Sequence, residues 1–401
     1  MTTRLDVAVV GAGIVGLATA FRLLEARPDL RVGVYERAAE VATGQSSRNS
    51  GVLHAGVYYP PGSAKARWCR EGKEQFERFA EEHDIPVLRT GKLIAAVHRR
   101  ELPGLRRLVD RARTNGVEIV ELDAAGVHEH EPHVTAVAGA WTPETAVTDF
   151  AVACRRLVEL IEERGGTVTT SCEVLDIDER DDGVRLRTAA GDVEAAAAVV
   201  CAGVCSDRMA RRSGFELSEQ IVPFRGSWLR LADDKTHLVR GSIYPVPLAG
   251  LPFLGVHLTR RIDGQVWIGP NAMLALARQG DDPWSVNARD LVETLRFPGL
   301  WRLGRRHLGA ALGELWRDRL IAANVREVQR YVPEITVQDV ERGPWGVRAQ
   351  LMSRDGDLVD DFVVRDSARV VHVLNAPSPA ATSSLAIGAD IRDRTLARLT
   401  G

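Results

Sequence analysis

A strand, Leu5 to Val10, runs directly into Gly11-Ala12-Gly13-Ile14-Val15-Gly16, and a second strand, Val32 to Tyr35, ends on Glu36. This opening constrains the fold more than any other stretch, because each residue in it has a physical task. Gly11 makes the tight turn out of the strand, Gly13 lets a pyrophosphate approach the backbone, and Gly16 lets the following helix pack against the strand. That helix, predicted over 14–26, points the positive end of its dipole at the same place. Glu36, 20 residues beyond Gly16, can accept hydrogen bonds from ribose hydroxyls and repels a ribose phosphate, which disfavours NADP. A lone GxGxxG also serves ordinary strand-to-helix turns. Here strand, glycines, apolar helix, second strand and terminal acid agree, and together they predict a Rossmann-like dinucleotide site that FAD or NAD would fit.

The rest of the composition narrows the class. A chain of 401 residues with 45% hydrophobic content can bury the cores of two domains. With 52 basic against 54 acidic residues it offers no field for sequence-independent nucleic-acid binding. The first residues enter a strand, and no run of about eighteen apolar residues follows, so the expectation is a cytoplasmic protein that spans no membrane. Cys69, Cys154, Cys172, Cys201 and Cys205 are odd in number and scattered, as in an enzyme with reduced thiols. His128, His130 and His133 are interleaved with glutamates and a proline, which reads as a solvated loop and not a metal site. No metal is expected.

Apolar spacing predicts helices over 63–83 and 149–164, the second stopped by Gly165-Gly166. Alternation predicts strands over 167–177 and 184–188 around a turn at Asp181-Asp182-Gly183. The run 197–203 reads as a buried strand that returns the chain to the first sheet. Long strands follow from 220 to about 258, including 221–231, then a strand over 264–269 and a mostly helical stretch over 287–331. Strands over 346–352 and 369–374 and a helix over 380–399 close the chain. The expected fold class is α/β with an α+β insertion. A discontinuous nucleotide-binding domain (1–80, 146–220, 336–401) would be interleaved with an antiparallel-sheet substrate domain (81–145, 221–335).

Three later segments join the N-terminal fingerprint: TGQSSRNSGVLHAG (43–56), GVR (346–348) followed by Asp355-Gly356, and HVLNAPSPAATSS (372–384). With them the chain resembles the FAD-dependent D-amino-acid oxidase superfamily, which includes glycine oxidase and glycerol-3-phosphate dehydrogenase. The resemblance decides for noncovalent FAD. It implies cofactor contacts from Gly11, Gly13, Ile14, Val15, Gly16, Glu36 and Arg37, and from Gln45, Ser46, Ser47, Asn49, Ser50 and Gly51. Val174, Cys201, Ala202, Gly203, Pro379, Ala380, Ala381 and Thr382 complete the implied set. NSGVLHAGVYYPPGSAKA (49–66), PFRG (223–226), IYPVP (243–247), PFLGVHLTR (252–260), GPNA (269–272), GVRAQ (346–350), DGDLVDDF (355–362) and NAPSPAATSS (375–384) narrow it to the L-2-hydroxyglutarate-oxidising branch. Two departures stand out. Gly44-Gln45-Ser46-Ser47-Arg48 replaces a histidine-bearing His-Gln-Thr-Gly-His, and Leu276-Ala277-Arg278-Gln279-Gly280 replaces a lysine-bearing Phe-Lys-Arg-Glu-Gly.

Oxidising a 2-hydroxy acid needs a hydride acceptor at C2, a base for the hydroxyl proton and cations for the carboxylates. By the resemblance Arg348 holds the C1 carboxylate, for which a guanidinium fork is suited. His257 and His54 are the candidate bases, since a neutral imidazole suits alkoxide formation. Tyr58, Tyr59, Lys65, Arg225, Tyr244, Arg260, Asn271 and Asn375 are candidates for the distal carboxylate and the flavin. The expected partners are a small dicarboxylate and an electron acceptor, oxygen or a quinone. A basic, tryptophan-bearing stretch over 296–319 raises peripheral contact with the inner face of a membrane. The alternatives are an amino-acid or sarcosine-type oxidase, which needs one carboxylate anchor, and a noncatalytic flavin-binding relay.

Overall fold

The backbone of β1 (Leu5–Val10) is hydrogen-bonded on both sides in parallel, to β2 (Val32–Tyr35) and to the strand Gly191–Val200. The apolar run of β1 is explained by this central place: both its faces are covered, so it cannot alternate. The coordinates are a computed structural model that describes residues 4–247, 255–280, 282–307, 309, 313 and 319–399. Thr167–Thr169 extends the sheet beyond β2, and Val370–Asn375 adds in parallel to Gly191–Val200. The predicted strand 167–177 is two strands, Thr167–Thr169 and Val174–Arg180, broken where Ser171 adopts a positive φ of 52°. One face of the sheet is covered by α1 (Ile14–Ala26), the helix Phe150–Glu163 and the C-terminal helix Ser384–Leu399. Val174, Ile177, Val184, Leu186 and Met209 cover the other.

A second, nine-stranded sheet is built from Lys92–Ala96, Val120–Asp123, Ala138–Thr142, five strands between Gln220 and Leu274, and Val340–Met352. It is antiparallel except at one junction. Ser242–Pro245 lies parallel to Lys92–Ala96, and this pair joins the two separate pieces of chain that form the sheet. Leu93 and Ala95 pack to one side, against Tyr331, Val332 and Ile335, while Ile94 and Ala96 face Leu105, Leu108 and Val109. The strand Val340–Met352 pairs along its whole length with Gln220–Leu231, so the segment carrying Arg348 belongs to the second sheet, and the chain re-enters the first only at Val363–Asp366. Expected helices at 63–83, 149–164 and 380–399 are present as Ala64–Glu82, Phe150–Glu163 and Ser384–Leu399.

The VHEHEPH segment is not a solvated loop. Ala124–His130 is a short helix capped by Asp123, His130 stacks on Trp141, and buried Glu131 accepts from the backbone amides of Arg240 and Gly241. Sequence spacing missed this because the apolar anchor is a single residue, Val127. Arg278, which stands in the departing 276–280 motif, is 1% exposed in its side chain and is ion-paired with Asp207 on the helix Ser206–Arg212. The five cysteines are free, and no group of side chains among the described residues could hold a metal.

Candidate active site

The cleft begins where β1 ends. Gly11 has φ +100°, and a Cβ on it would fall 2.4 Å from the carbonyl oxygen of Cys201; one on Gly16 would fall 2.0 Å from the Gly11 oxygen. Only glycine permits this approach of turn, helix and neighbouring strand. The start of a helix leaves several amides without an intrahelical acceptor. Here Ser46 Oγ, brought from the 43–56 loop, accepts from the Ile14 amide at 2.9 Å, so the loop lies over the dipole. Asn49 pins that loop by donating to the Gln45 and Ser46 carbonyls (3.0 and 2.8 Å) and accepting from Gly51 N (2.8 Å). Glu36 accepts from the amides of Ala12 and Ala38 (2.9 and 3.0 Å), which fixes its carboxylate at the edge where a ribose would lie.

The other cofactor candidates line the same edge or stand behind it. The Cys201 amide donates to Val10 O, and Gly203, with φ +53°, opens a short turn beside Gln45. Burial pushes the Cys201 thiol up to about 12, so it is no nucleophile. Arg37 is exposed and reaches Cys205 Sγ. Val174 is packed in the core beneath the sheet, which commits its side chain there. Pro379 to Thr382 form the turn before the C-terminal helix, and Thr382 Oγ1 accepts from His54 N at 3.1 Å. Because Val370–Asn375, Gly191–Val200 and β1 are parallel, this turn and the start of α1 emerge at the same edge of the sheet, where open α/β folds bind ligands. The glycine cradle, the Ser46-capped helix and the fixed Glu36 fit the dinucleotide half of FAD.

Facing this edge, the second sheet presents His257, 7% exposed, with its ring stacked on Tyr244 (centroids 4.1 Å apart, 19° between planes). Its Nδ1 lies 2.9 Å from Gly255 O. A carbonyl can only accept, so Nδ1 carries the proton and Nε2 presents a lone pair. Burial first, then the charges of Lys92 and Arg348, push this imidazole down to about 3. It is neutral at physiological pH. His54 is also held well below its usual range by burial and by Lys92, and its Nε2 lies 3.4 Å from Ser378 Oγ.

Arg348 lies opposite Phe224 across the sheet, and its Nη2 would be 3.1 Å from a Cβ on Gly226. The glycine of PFRG is thus the space the guanidinium occupies. Lys92 was not singled out by its sequence, GKLIAA, which looks like an ordinary strand start. It is 1% exposed, and its ammonium lies 4.2 Å from the Tyr244 ring centre and 5.4 Å from that of Tyr58.

The remaining candidates divide. Tyr58 and Tyr244 stand at the site, 6.2 Å apart, and burial raises both phenols. Tyr59 lies under the ammonium of Lys65, which is ion-paired with Asp360 at 2.6 Å. Arg225 points to the opposite side of its strand from Arg348, where it donates to Pro283 O and stacks on Trp284. Arg260 donates to the Thr236 and Val239 carbonyls. Asn271 Oδ1 accepts from Ser227 N, and Asn375 holds the 355–362 loop through the Val359 and Asp361 carbonyls. Ser47 bonds within its own loop, whose next residues, Ser50 and Gly51, lead into the strand Val52–Leu53.

These features define a flavoprotein oxidoreductase, and a sequence profile described as FAD dependent oxidoreductase matches residues 6–394. The chain belongs to that family, and FAD is its cofactor. Within the family it is 44% identical to the mitochondrial L-2-hydroxyglutarate dehydrogenase of Caenorhabditis elegans, over 98% of this chain and 94% of that one. It is 38% identical to the L-2-hydroxyglutarate dehydrogenase of Escherichia coli K12, over 96% and 92%. The fold is shared with the FAD-bound L-α-glycerophosphate oxidase of Mycoplasma pneumoniae (TM-score 0.77, 19% identity, 100% of this chain and 96% of that one). Glycine oxidase of Geobacillus kaustophilus is a further match (TM-score 0.72, 20% identity, 98% and 95%).

Proposed function

We propose that the protein oxidises L-2-hydroxyglutarate to 2-oxoglutarate. The observation that carries this reading is the buried imidazole of His257, whose Nδ1 is held by the Gly255 carbonyl so that Nε2 presents a lone pair, on the same sheet as Arg348. The identity to the dehydrogenases above supports the choice of substrate. Bound FAD supplies the two-electron acceptor for the hydrogen on C2. Arg348 holds the C1 carboxylate through paired N–H···O bonds, in the space that Gly226 leaves. His257 Nε2 takes the hydroxyl proton, and its Nδ1–H bond to Gly255 O fixes the tautomer that can do so. A carboxylate on Arg348 also cancels one of the charges that depress His257, so the base strengthens as the substrate arrives.

The test is anaerobic addition of L-2-hydroxyglutarate to the purified holoenzyme, with the D-enantiomer as control. Flavin bleaching with the L form alone is expected. Bleaching by an amino acid in its place would move the assignment to an amino-acid or sarcosine-type oxidase. A flavin that no hydroxy or amino acid reduces would make the protein a relay.

Reoxidation is by oxygen or a quinone, and a set of exposed apolar residues supports contact with a membrane surface. Trp284, Val286, Val292, Leu295, Trp301 and Leu320 are exposed and lie within or close in sequence to Ala288–Arg296 and Pro298–Arg306. Arg302 and Arg306 are paired with Asp355 and Asp357. The tryptophans therefore carry this contact more than the basic face does. Leu308, Leu312, Trp316 and Arg317 of the predicted stretch lie outside the described residues. No helix among the described residues is long and apolar enough to cross a membrane. Flotation with anionic vesicles at low salt should carry the protein, and Trp301→Ser should weaken it; a protein left wholly at the bottom of the gradient would end this idea.

A further inference from the structure

We propose that Lys92 is the second carboxylate anchor of the site, and that it selects a dicarboxylate by holding the carboxylate distal to the reacting carbon. The inference rests on the function proposed above and names the residue behind its substrate class. Lys92 opens a fully buried strand and lies beside Ser242 on one neighbouring strand and Thr142 on the other. Its ammonium sits between the rings of Tyr58 and Tyr244, and Tyr244 in turn stacks on His257. One aromatic ring therefore links the cation to the imidazole. Such a cage holds an ammonium in place but does not neutralise it.

Two buried polar atoms near it, Ser242 Oγ and Tyr58 Oη, have no hydrogen-bond partner among the described residues. Ser242 and Thr259 are paired in register with each other, on the same sheet face as Lys92. A buried ammonium and orphaned hydroxyls are each costly apart, and a carboxylate satisfies them together, since it accepts from all. Burial pushes the Lys92 ammonium down to about 7. An incoming carboxylate favours its charged form. The cations that the sequence suggested for this task are engaged elsewhere: Lys65 with Asp360, and Arg260 with two carbonyls. Lys92 is joined to His257 through the Tyr244 ring, and Arg348 stands on the same sheet, so a chain with a carboxylate at each end can be laid between the two cations along the imidazole.

The experiment compares anaerobic flavin reduction by L-2-hydroxyglutarate and by L-2-hydroxypentanoate, which has a methyl group in place of the distal carboxylate, in wild-type, Lys92→Met and Lys92→Arg holoenzymes. Lys92→Met should lose about 10²-fold or more in kcat/KM for the dicarboxylate, mostly in KM. It should hold or gain with the monocarboxylate, because a charge depressing His257 is gone. Its melting temperature should be no lower than that of the wild type, since a buried amine has been replaced by a thioether of similar length. Lys92→Arg should keep part of the selection. Equal losses on both substrates, or an unchanged ratio, would overturn the assignment. If wild-type enzyme reduces its flavin with neither substrate, the proposed function itself fails; if wild type discriminates and Lys92→Met does so equally, only this inference fails.

Discussion

Arg278 joins the loop after Met273–Leu274 to the helix Ser206–Arg212 and to the strand Gln220–Leu231, and its replacement by methionine gives a magnitude that the structure sets. Its guanidinium forks onto both oxygens of Asp207, which is fully buried, and also donates to the Val204 and Ile221 carbonyls (2.7 and 3.0 Å). Burial alone would push the Asp207 carboxyl up; the hydrogen bonds and charge of Arg278 outweigh it and hold the group below the usual carboxylate range. Arg278→Met leaves that charge with Arg211 at 3.1 Å and the Ile221 amide. Breaking a buried pair in this way costs about 3–5 kcal/mol. For 401 residues the unfolding entropy is about 0.8 kcal/mol/K, so the melting temperature should fall by about 4–6 °C at pH 7. The sign with pH follows from the carboxyl. In wild type its depressed pKa contributes stability above the unfolded value near 4 that is lost as pH falls through the folded pKa. In the variant burial prevails, the group prefers its proton, and the deficit shrinks as pH is lowered toward that range. Asp207→Asn combined with Arg278→Met should be less unstable than Arg278→Met alone, because no buried charge remains. A fall below about 1 °C at pH 7, or a double variant worse than the sum of the singles, would refute the reasoning.

Gly226→Ala should push the Arg348 guanidinium by a few tenths of an ångström, since the new Cβ would lie 3.1 Å from Nη2 and 3.1 Å from Pro270 Cβ; a loss of about tenfold in kcat/KM is expected in stopped-flow flavin reduction. Glu36→Gln turns an acceptor facing the Ala12 or Ala38 amide into a donor, so FAD retention measured by fluorescence on dilution should weaken by about 10-fold or more. Arg348→Ala should cost about 2–5 kcal/mol in substrate selection, and a kcat/KM within about threefold of wild type would remove it from the site. For Lys92, whose neighbours His54, His257, Tyr58, Tyr244 and Cys69 contribute no charge at neutral pH, kcat/KM for the dicarboxylate should fall as pH rises above about 7, when the free ammonium loses its proton. Lys92→Arg should move that fall to higher pH.

The nucleotide half of the fold was legible because its chemistry is local. Gly11, Gly13, Gly16 and Glu36 lie within one β-α-β unit, and their tasks follow from backbone geometry. The second half depends on which strands become neighbours. Arg348 and Gly226 are 122 positions apart in the chain, and only the pairing of Val340–Met352 with Gln220–Leu231 makes one the space for the other. Lys92, proposed above as the second anchor, was not legible for the same reason: its sequence resembles any strand beginning with a solvated lysine, and the rings beside its ammonium, Tyr58 and Tyr244, come from distant parts of the chain. Lys65 and Arg260 show the reverse case. Each sits in a motif shared with the family, yet each cation is committed, one to Asp360 and the other to backbone carbonyls, by contacts that spacing does not reveal.

The placement of charge suggests why selection and catalysis belong together here. His257 is depressed by burial and by two cations, and with those charges uncompensated an imidazole held near 3 is a poor base. A monocarboxylate on Arg348 cancels one of the cations; a dicarboxylate that also reaches Lys92 cancels both. On the proposed reading the base would gain part of its proton affinity as both carboxylates seat, while burial, the largest cause of its depression, stays in place. Interaction at the distal carboxylate thus works on the reacting end, and part of the discrimination is expressed in kcat and not in KM alone. The two cations are on different sheet strands, and the imidazole between them is positioned by a carbonyl and a stacked tyrosine.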